Sequence, residues 1–238
     1  MPTHTLTARS LTLTTPPATD IWRKPPTHNV FTSPHTLTTA VPLHIFRRAR
    51  ATLSFTPVLQ YDQGGLLLAL SRPSTPPGAS APTASDLAWA ATAPSGGSGA
   101  VTADSAQKWI KAGVEFYEGA PRLSVVACDG WADWSVAPLP DAVASASAPV
   151  AATVELRREV GSSGVSLWVV ALEKGAGAGE VRRRPLREIC WVYGIGEEWE
   201  VRVGVYGARP AGKEDAGRED TGEELVVRFE DAEVEVEV

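Results

Sequence analysis

The chain has 238 residues, 43% of them hydrophobic, enough to bury a core and to exclude a globally disordered protein. Its formal net charge of −6 is uneven: between Lys213 and Val238 eleven acidic residues face only Lys213, Arg218 and Arg228, and the rest is close to neutral. Such a body offers no basic footprint for nucleic acid, and no run of about 18 apolar residues exists to span a membrane.

The Thr- and Pro-rich start, Met1 to Asp20, lacks the apolar core of a signal peptide. With two cysteines, Cys128 and Cys190, the chain reads as cytoplasmic with reduced thiols, a disulfide between them remaining open. Ile45 to Phe55 places Ile45, Ala49, Ala51, Leu53 and Phe55 on one side. Residues 71–105, dominated by Ala, Pro, Ser, Thr and Gly, read as a long surface insertion, as do 138–152 and the charged stretch 211–223. Val165 to Leu172 and Leu186 to Tyr193 read as strands apolar on both faces, and Arg182-Arg183-Arg184 as a solvated loop. Trp199 to Tyr206, Glu224 to Phe229 and Glu233 to Val238 alternate with period two, the mark of a strand with one buried face. No segment sustains a helical period. About ten strands with little helix predict an all-β two-sheet sandwich, one domain over 1–238 with the three insertions.

The most informative stretch is Gln107 to Val136. Ile110, Ala112, Val114 and Phe116 form a core face, while Trp109, Lys111, Gly113, Glu115 and Tyr117 share the other. After the Glu118-Gly119-Ala120-Pro121 turn, Leu123, Val125 and Ala127 point inward and Arg122, Ser124, Val126 and Cys128 outward. Beyond the Asp129-Gly130 turn, Trp131, Asp133 and Ser135 share one parity. Aromatic rings beside Lys, Glu and Ser in adjacent strands suit a ligand floor: rings stack on sugar faces and charged groups bond hydroxyls. Gly113 would let a ligand near the backbone. A solvated sheet face with a cross-strand Lys–Glu pair explains the same pattern equally well. Trp109 and Trp131 are the stacking candidates; Trp134, Trp168 and Trp191 read as core and Trp22 as a structural cap.

These residues resemble a known family: the fungal and bacterial concanavalin A-like family, formerly a domain of unknown function, that includes the yeast "regulation of enolase" protein. The matching motifs run in order. They are Asp20 to Lys24, Tyr61-Asp62-Gln63-Gly64-Gly65-Leu66, Trp109 to Glu115, Leu123 to Val126, Asp133-Trp134-Ser135, Gly204-Val205-Tyr206 with Pro210, and Phe229. Ala208-Arg209-Pro210 departs from the family's small residue and serine before proline. The resemblance implies a concanavalin A-like jelly roll with a concave sheet, and no established activity. Its wider relatives bind or cleave glycans, a weak guide to function.

A glycosidase needs two carboxylates roughly 5–10 Å apart. Glu115 and Asp133 are the best pair, with Asp62 and Glu155 in reserve, although the parity of Asp62 opposes that of Gln63 and suits a turn. All four histidines lie within the first 44 residues and no G-x-S-x-G element occurs, which disfavours a serine or cysteine triad. Neither paired Cys/His spacing nor a calcium loop exists, so no metal and no cofactor are expected. The leading reading is a non-catalytic module binding a carbohydrate or small polar metabolite through Gln63, Trp109, Lys111, Glu115, Asp133 and Arg187. Two alternatives stand beside it. One is a protein-interaction regulator of a glycolytic enzyme, contacted through the loops or the acidic C-terminal strand. The other is a glycan-active hydrolase or lyase using Glu115 and Asp133.

Overall fold

The computed structural model describes residues 2–73, 86–89, 102, 105–140, 148–175, 177, 179–210 and 223–237. Most of the three expected insertions lies outside the described residues. Among those described, the strands in chain order are β1 (Thr3–Thr15), β2 (Ile21–Lys24), β3 (His28–Phe31), β4 (His35–Leu37), β5 (Val41–Pro42), β6 (Phe46–Phe55), β7 (Gln63–Ser71) and β8 (Lys108–Tyr117). They continue with β9 (Ala120–Cys128), β10 (Ala132–Pro138), β11 (Val150–Gly161), β12 (Gly164–Lys174), β13 (Val181–Ile189), β14 (Glu200–Ala208) and β15 (Leu225–Glu237).

They form an all-β sandwich of two antiparallel sheets. One sheet runs β1-β15-β6-β11-β12-β13; the other runs β10-β9-β8-β7-β14-β4, with β5 also on β14. The core between them takes the inward residues that the alternation assigns: Ala49, Leu53, Val227 and Phe229 from the first sheet, Ile110, Val114, Val125 and Val203 from the second. Each such large side chain buried contributes ~1.5–3 kcal/mol, so a one-residue slip in any of these strands is strongly disfavoured.

Several expectations need correction. The Thr-rich N-terminus is a 13-residue strand, β1, paired along its length with β15. Val150 to Ala152 belong to β11 rather than to a loop. The strand expected over Leu186 to Tyr193 stops at Ile189, and a 3-10 turn covers Val192–Gly194. The arginine triplet lies in β13, where Arg183 meets Glu155 and Arg182 and Arg184 meet Glu173. The acidic C-terminal strand is partly neutralised by arginines of β6. β15 runs between β1 and β6, and Glu233 and Glu235 pair with Arg48 and Arg50 while Glu237 pairs with Arg47.

The second sheet is buried on both faces at its centre, and this positions the site. The hairpin β2–β3 lies over its outer face, and Ile21 and Phe31 pack there on Leu67, Ala69, Trp109, Val126 and Cys128. Arg23 fixes the hairpin by donating to Asn29 Oδ1 and to the carbonyls of Ala106 and Gln107.

Candidate functional site: a pocket beside the β2–β3 hairpin

Register assembles the site. Gln63 stands opposite Glu115, Gly65 opposite Gly113 and Leu67 opposite Lys111. On the next strand Gly113 faces Ser124 and Lys111 faces Val126, and Val126 in turn faces Trp134. Alternate residues share a face, so these side chains converge over the glycine pair. The glycines serve strand packing rather than ligand approach: a Cβ at Gly113 would lie 2.0 Å from the Gly64 carbonyl oxygen and 2.6 Å from Gly65 Cα.

Between this floor and the hairpin lies a pocket of about 310 Å³. Its polar lining is Asp20, Gln63, Lys111 and Glu115; Trp22, Tyr61 and Trp134 supply aromatic walls, with Val126 and Pro210 completing it. The volume is at the low end of the ~300–1,000 Å³ typical of small-molecule sites, so it suits one ring rather than a chain of sugars.

Lys111 is only 3% exposed. Its ammonium donates to Gln63 Oε1 at 2.9 Å and Asp20 Oδ1 at 3.3 Å. It also stands 5.7, 6.0 and 5.8 Å from the ring centroids of Trp22, Trp109 and Tyr206, a favourable electrostatic environment for a desolvated cation. Burial pushes the Tyr206 phenol well above its ordinary value, so it stays protonated and donates to Gln63 Oε1 at 3.2 Å. The Gln63 amide donates to the Tyr61 carbonyl. Lys111 and Gln63 are therefore largely satisfied within the chain.

Glu115 differs. Its Oε2 accepts from Ser124 Oγ at 2.7 Å and Trp134 Nε1 at 2.9 Å, whereas Oε1 accepts no hydrogen bond among the described residues. Burial raises its carboxyl above the usual range, and Asp20 adds to the rise; Lys111, Ser124 and Trp134 oppose it without cancelling it. A carboxyl raised on folding contributes stability that is full below the unfolded-state pKa and is lost as pH rises through the folded-state value. Glu115→Gln should therefore melt higher than the parent at neutral pH. The gap should shrink as pH falls into the ordinary carboxylate range, each 1 kcal/mol reading as about 2–4 °C for a chain this size. Melting curves from pH 4 to 8 check this, and a gap independent of pH would refute it.

The remaining sequence candidates lie elsewhere. Trp109 is wholly buried beneath the hairpin, its ring centroid 6.0 Å from the Lys111 ammonium, and does not line the pocket. Asp133 is 80% exposed and pairs with Arg187 at 3.5 Å, and Arg187 also donates to the Asp133 carbonyl. The reason is the turn before β10. Cys128 pairs with Ala132, so three residues intervene, and Asp133 falls opposite the core residue Ala127 while Trp134 falls opposite outward-facing Val126. Trp134, expected in the core, thus lines the pocket, and Trp131, expected on the floor, is 48% exposed away from it. Glu115 and Asp133 therefore sit on opposite parities and do not form a carboxylate pair.

Asp62 faces away from the site and is bound by Arg209, as its parity implied. Glu155 is buried on the other sheet among Arg48, Arg157 and Arg183. Both cysteines are free; burial pushes the Cys128 thiol up to about 11, which makes it a poor nucleophile at neutral pH. Among the described residues no three His, Cys, Asp or Glu side chains are grouped to hold a metal ion, and no helix is long and apolar enough to cross a membrane.

Sequence reasoning missed Asp20, Trp22, Tyr61, Trp134 and Pro210 as pocket residues. Asp20, Trp22 and Tyr61 stood inside the resembling motifs, but nothing in their local pattern said that the hairpin folds back over the floor.

The fold and site together define a two-sheet β-sandwich with a ring-sized, mixed-charge pocket on one outer face. The chain belongs to the family described as "Protein of unknown function (DUF1349)", whose model matches residues 2–236. It is 35% identical over 200 residues to an uncharacterized protein, AN7484, of Emericella nidulans, covering 84% of this chain and 77% of that one. It also resembles the crystal structure of a functionally unknown protein from Saccharomyces cerevisiae, with a TM-score of 0.50 and 17% identity over 96% of this chain and 89% of that one. At that identity the likeness speaks for the fold alone.

Proposed function

We propose that the protein is a non-catalytic, cytoplasmic binding module that holds a carbohydrate or small polar metabolite in the pocket beside the β2–β3 hairpin. The observation that carries this reading is Glu115: 5% exposed, lining the pocket, with one carboxylate oxygen unpartnered among the described residues. That oxygen opens on the pocket, where it offers an acceptor to a ligand that donates a hydrogen bond. The aromatic walls supply stacking surface, as ring-shaped polar ligands require. Asp133 lies on the opposite parity from Glu115 and outside this pocket, which favours binding over a glycosidase built on that pair. The motif resemblance to the concanavalin A-like family of the yeast enolase regulator supports a role in sensing a metabolite of carbon metabolism.

A thermal-shift screen against monosaccharides and central metabolites tests the proposal. A ligand at about 100 times its Kd stabilises by ~2.7 kcal/mol, which reads as roughly 5–10 °C here. Glu115→Gln is the better control than Lys111→Ala, because removing the buried ammonium would take from Asp20 and Gln63 their shared charged donor. The expected result is a shift in the parent that largely disappears in Glu115→Gln. An equal shift in both places the ligand elsewhere and overturns the reading.

A further inference from the structure

The pocket's charges are unequal. Asp20, Lys111 and Glu115 line it, two carboxylates against one ammonium. Arg122 stands opposite Glu115 in the register but does not line the pocket. The ammonium of Lys111 is already engaged by Asp20, Gln63 and three rings, so its charge is committed within the protein. Glu115 feels Lys111 without an ion pair to it, and both groups bonded to its Oε2, the Ser124 hydroxyl and the Trp134 indole, are neutral. Beside it stands a run of aromatic rings. Tyr117 meets Trp134 edge-on at 4.9 Å between centroids, and Tyr61 lies 5.9 Å from Tyr117.

A buried carboxylate is costly unless a cation compensates it, and aromatic faces attract cations further. Resting on the pocket reading above, we infer that the ligand is a small polar molecule bearing a protonated amine, whose ammonium donates to Glu115 Oε1 beside the rings of Tyr61 and Trp134. A neutral polyol would satisfy the same oxygen without compensating its charge. A phosphorylated or carboxylated metabolite would meet a pocket of its own sign.

The test is calorimetric titration with matched probes: glucosamine and galactosamine, glucose and galactose, and glucose 6-phosphate. The amino sugars should bind at least tenfold more tightly than the neutral sugars, and glucose 6-phosphate most weakly. Glu115→Gln should abolish the preference. Asp20→Asn, which keeps the acceptors of Lys111 and of the Ile21 amide, should reduce it several-fold. Neutral sugars binding as tightly as amino sugars, with Glu115 still required, would overturn the amine inference and leave the pocket reading standing. Tighter binding of glucose 6-phosphate would also overturn it. If neither these probes nor the wider screen binds, both readings fall.

Discussion

Arg209→Ala should lose about 3–5 kcal/mol of stability, the cost of leaving a buried charge without its partner. Arg209 and Asp62 are both buried, and the guanidinium meets the carboxylate through two bonds of 2.8 Å, Nε to Oδ1 and Nη2 to Oδ2. Asp62 Oδ2 also accepts the backbone amides of Val58 and Leu59, which folds the turn that delivers Tyr61 and Gln63 to the pocket. Arg209 Nη1 donates to the Glu223 carbonyl, tying the end of β14 to the approach to β15. The pair thus connects the site to both sheets. Chemical denaturation of Arg209→Ala, Asp62→Ala and the double variant checks this. The double should cost less than the sum of the singles, because it removes the orphaned charge; a loss below about 1 kcal/mol in Arg209→Ala would show that the pair carries no weight.

Gly113→Ala should be at least as damaging, with a loss of about 3 kcal/mol or more and a protein that is largely insoluble. Overpacking typically costs ~1–3 kcal/mol when flexible side chains can yield. Here the new methyl meets backbone, the carbonyl of Gly64 and Cα of Gly65, and a Cβ added at Gly65 would likewise collide with the Ala112 carbonyl oxygen. Strands β7 and β8 would have to part at the centre of the sheet, between Lys111 and Glu115. Gly119→Ala is the comparison: nothing lies within 4 Å of its Cβ position, and only its positive φ of 73° opposes the change, so its loss should be nearer 1 kcal/mol. Equal melting temperatures for Gly113→Ala and the parent would contradict the close strand approach.

The sandwich was legible because its strands alternate cleanly. Val201, Val203 and Val205, or Ile110, Ala112 and Val114, announce a buried face without help from anything distant. Strand β1 was less legible because Thr residues, with partly buried Leu6, Ala8 and Leu11, make a weak alternation that only pairing with β15 settles. At the site, parity sufficed for Gln63, Lys111 and Glu115, which lie on two directly paired strands. It failed one strand further on, where turn length rather than alternation decides whether Asp133 or Trp134 faces the pocket. Asp20 and Trp22 were beyond its reach, since they arrive on a hairpin folded over the sheet from about 90 residues away in sequence. The solvated-face alternative does not hold, because the face is buried, part by the hairpin and part as pocket wall.

Whether the space above Glu115 holds a small ligand is decided by calorimetric titration of the strongest ligand from the thermal screen into the parent and into Glu115→Gln. The variant should melt cooperatively at or above the parent temperature yet bind at least tenfold more weakly. Equal affinity for the two proteins would place the ligand away from Glu115.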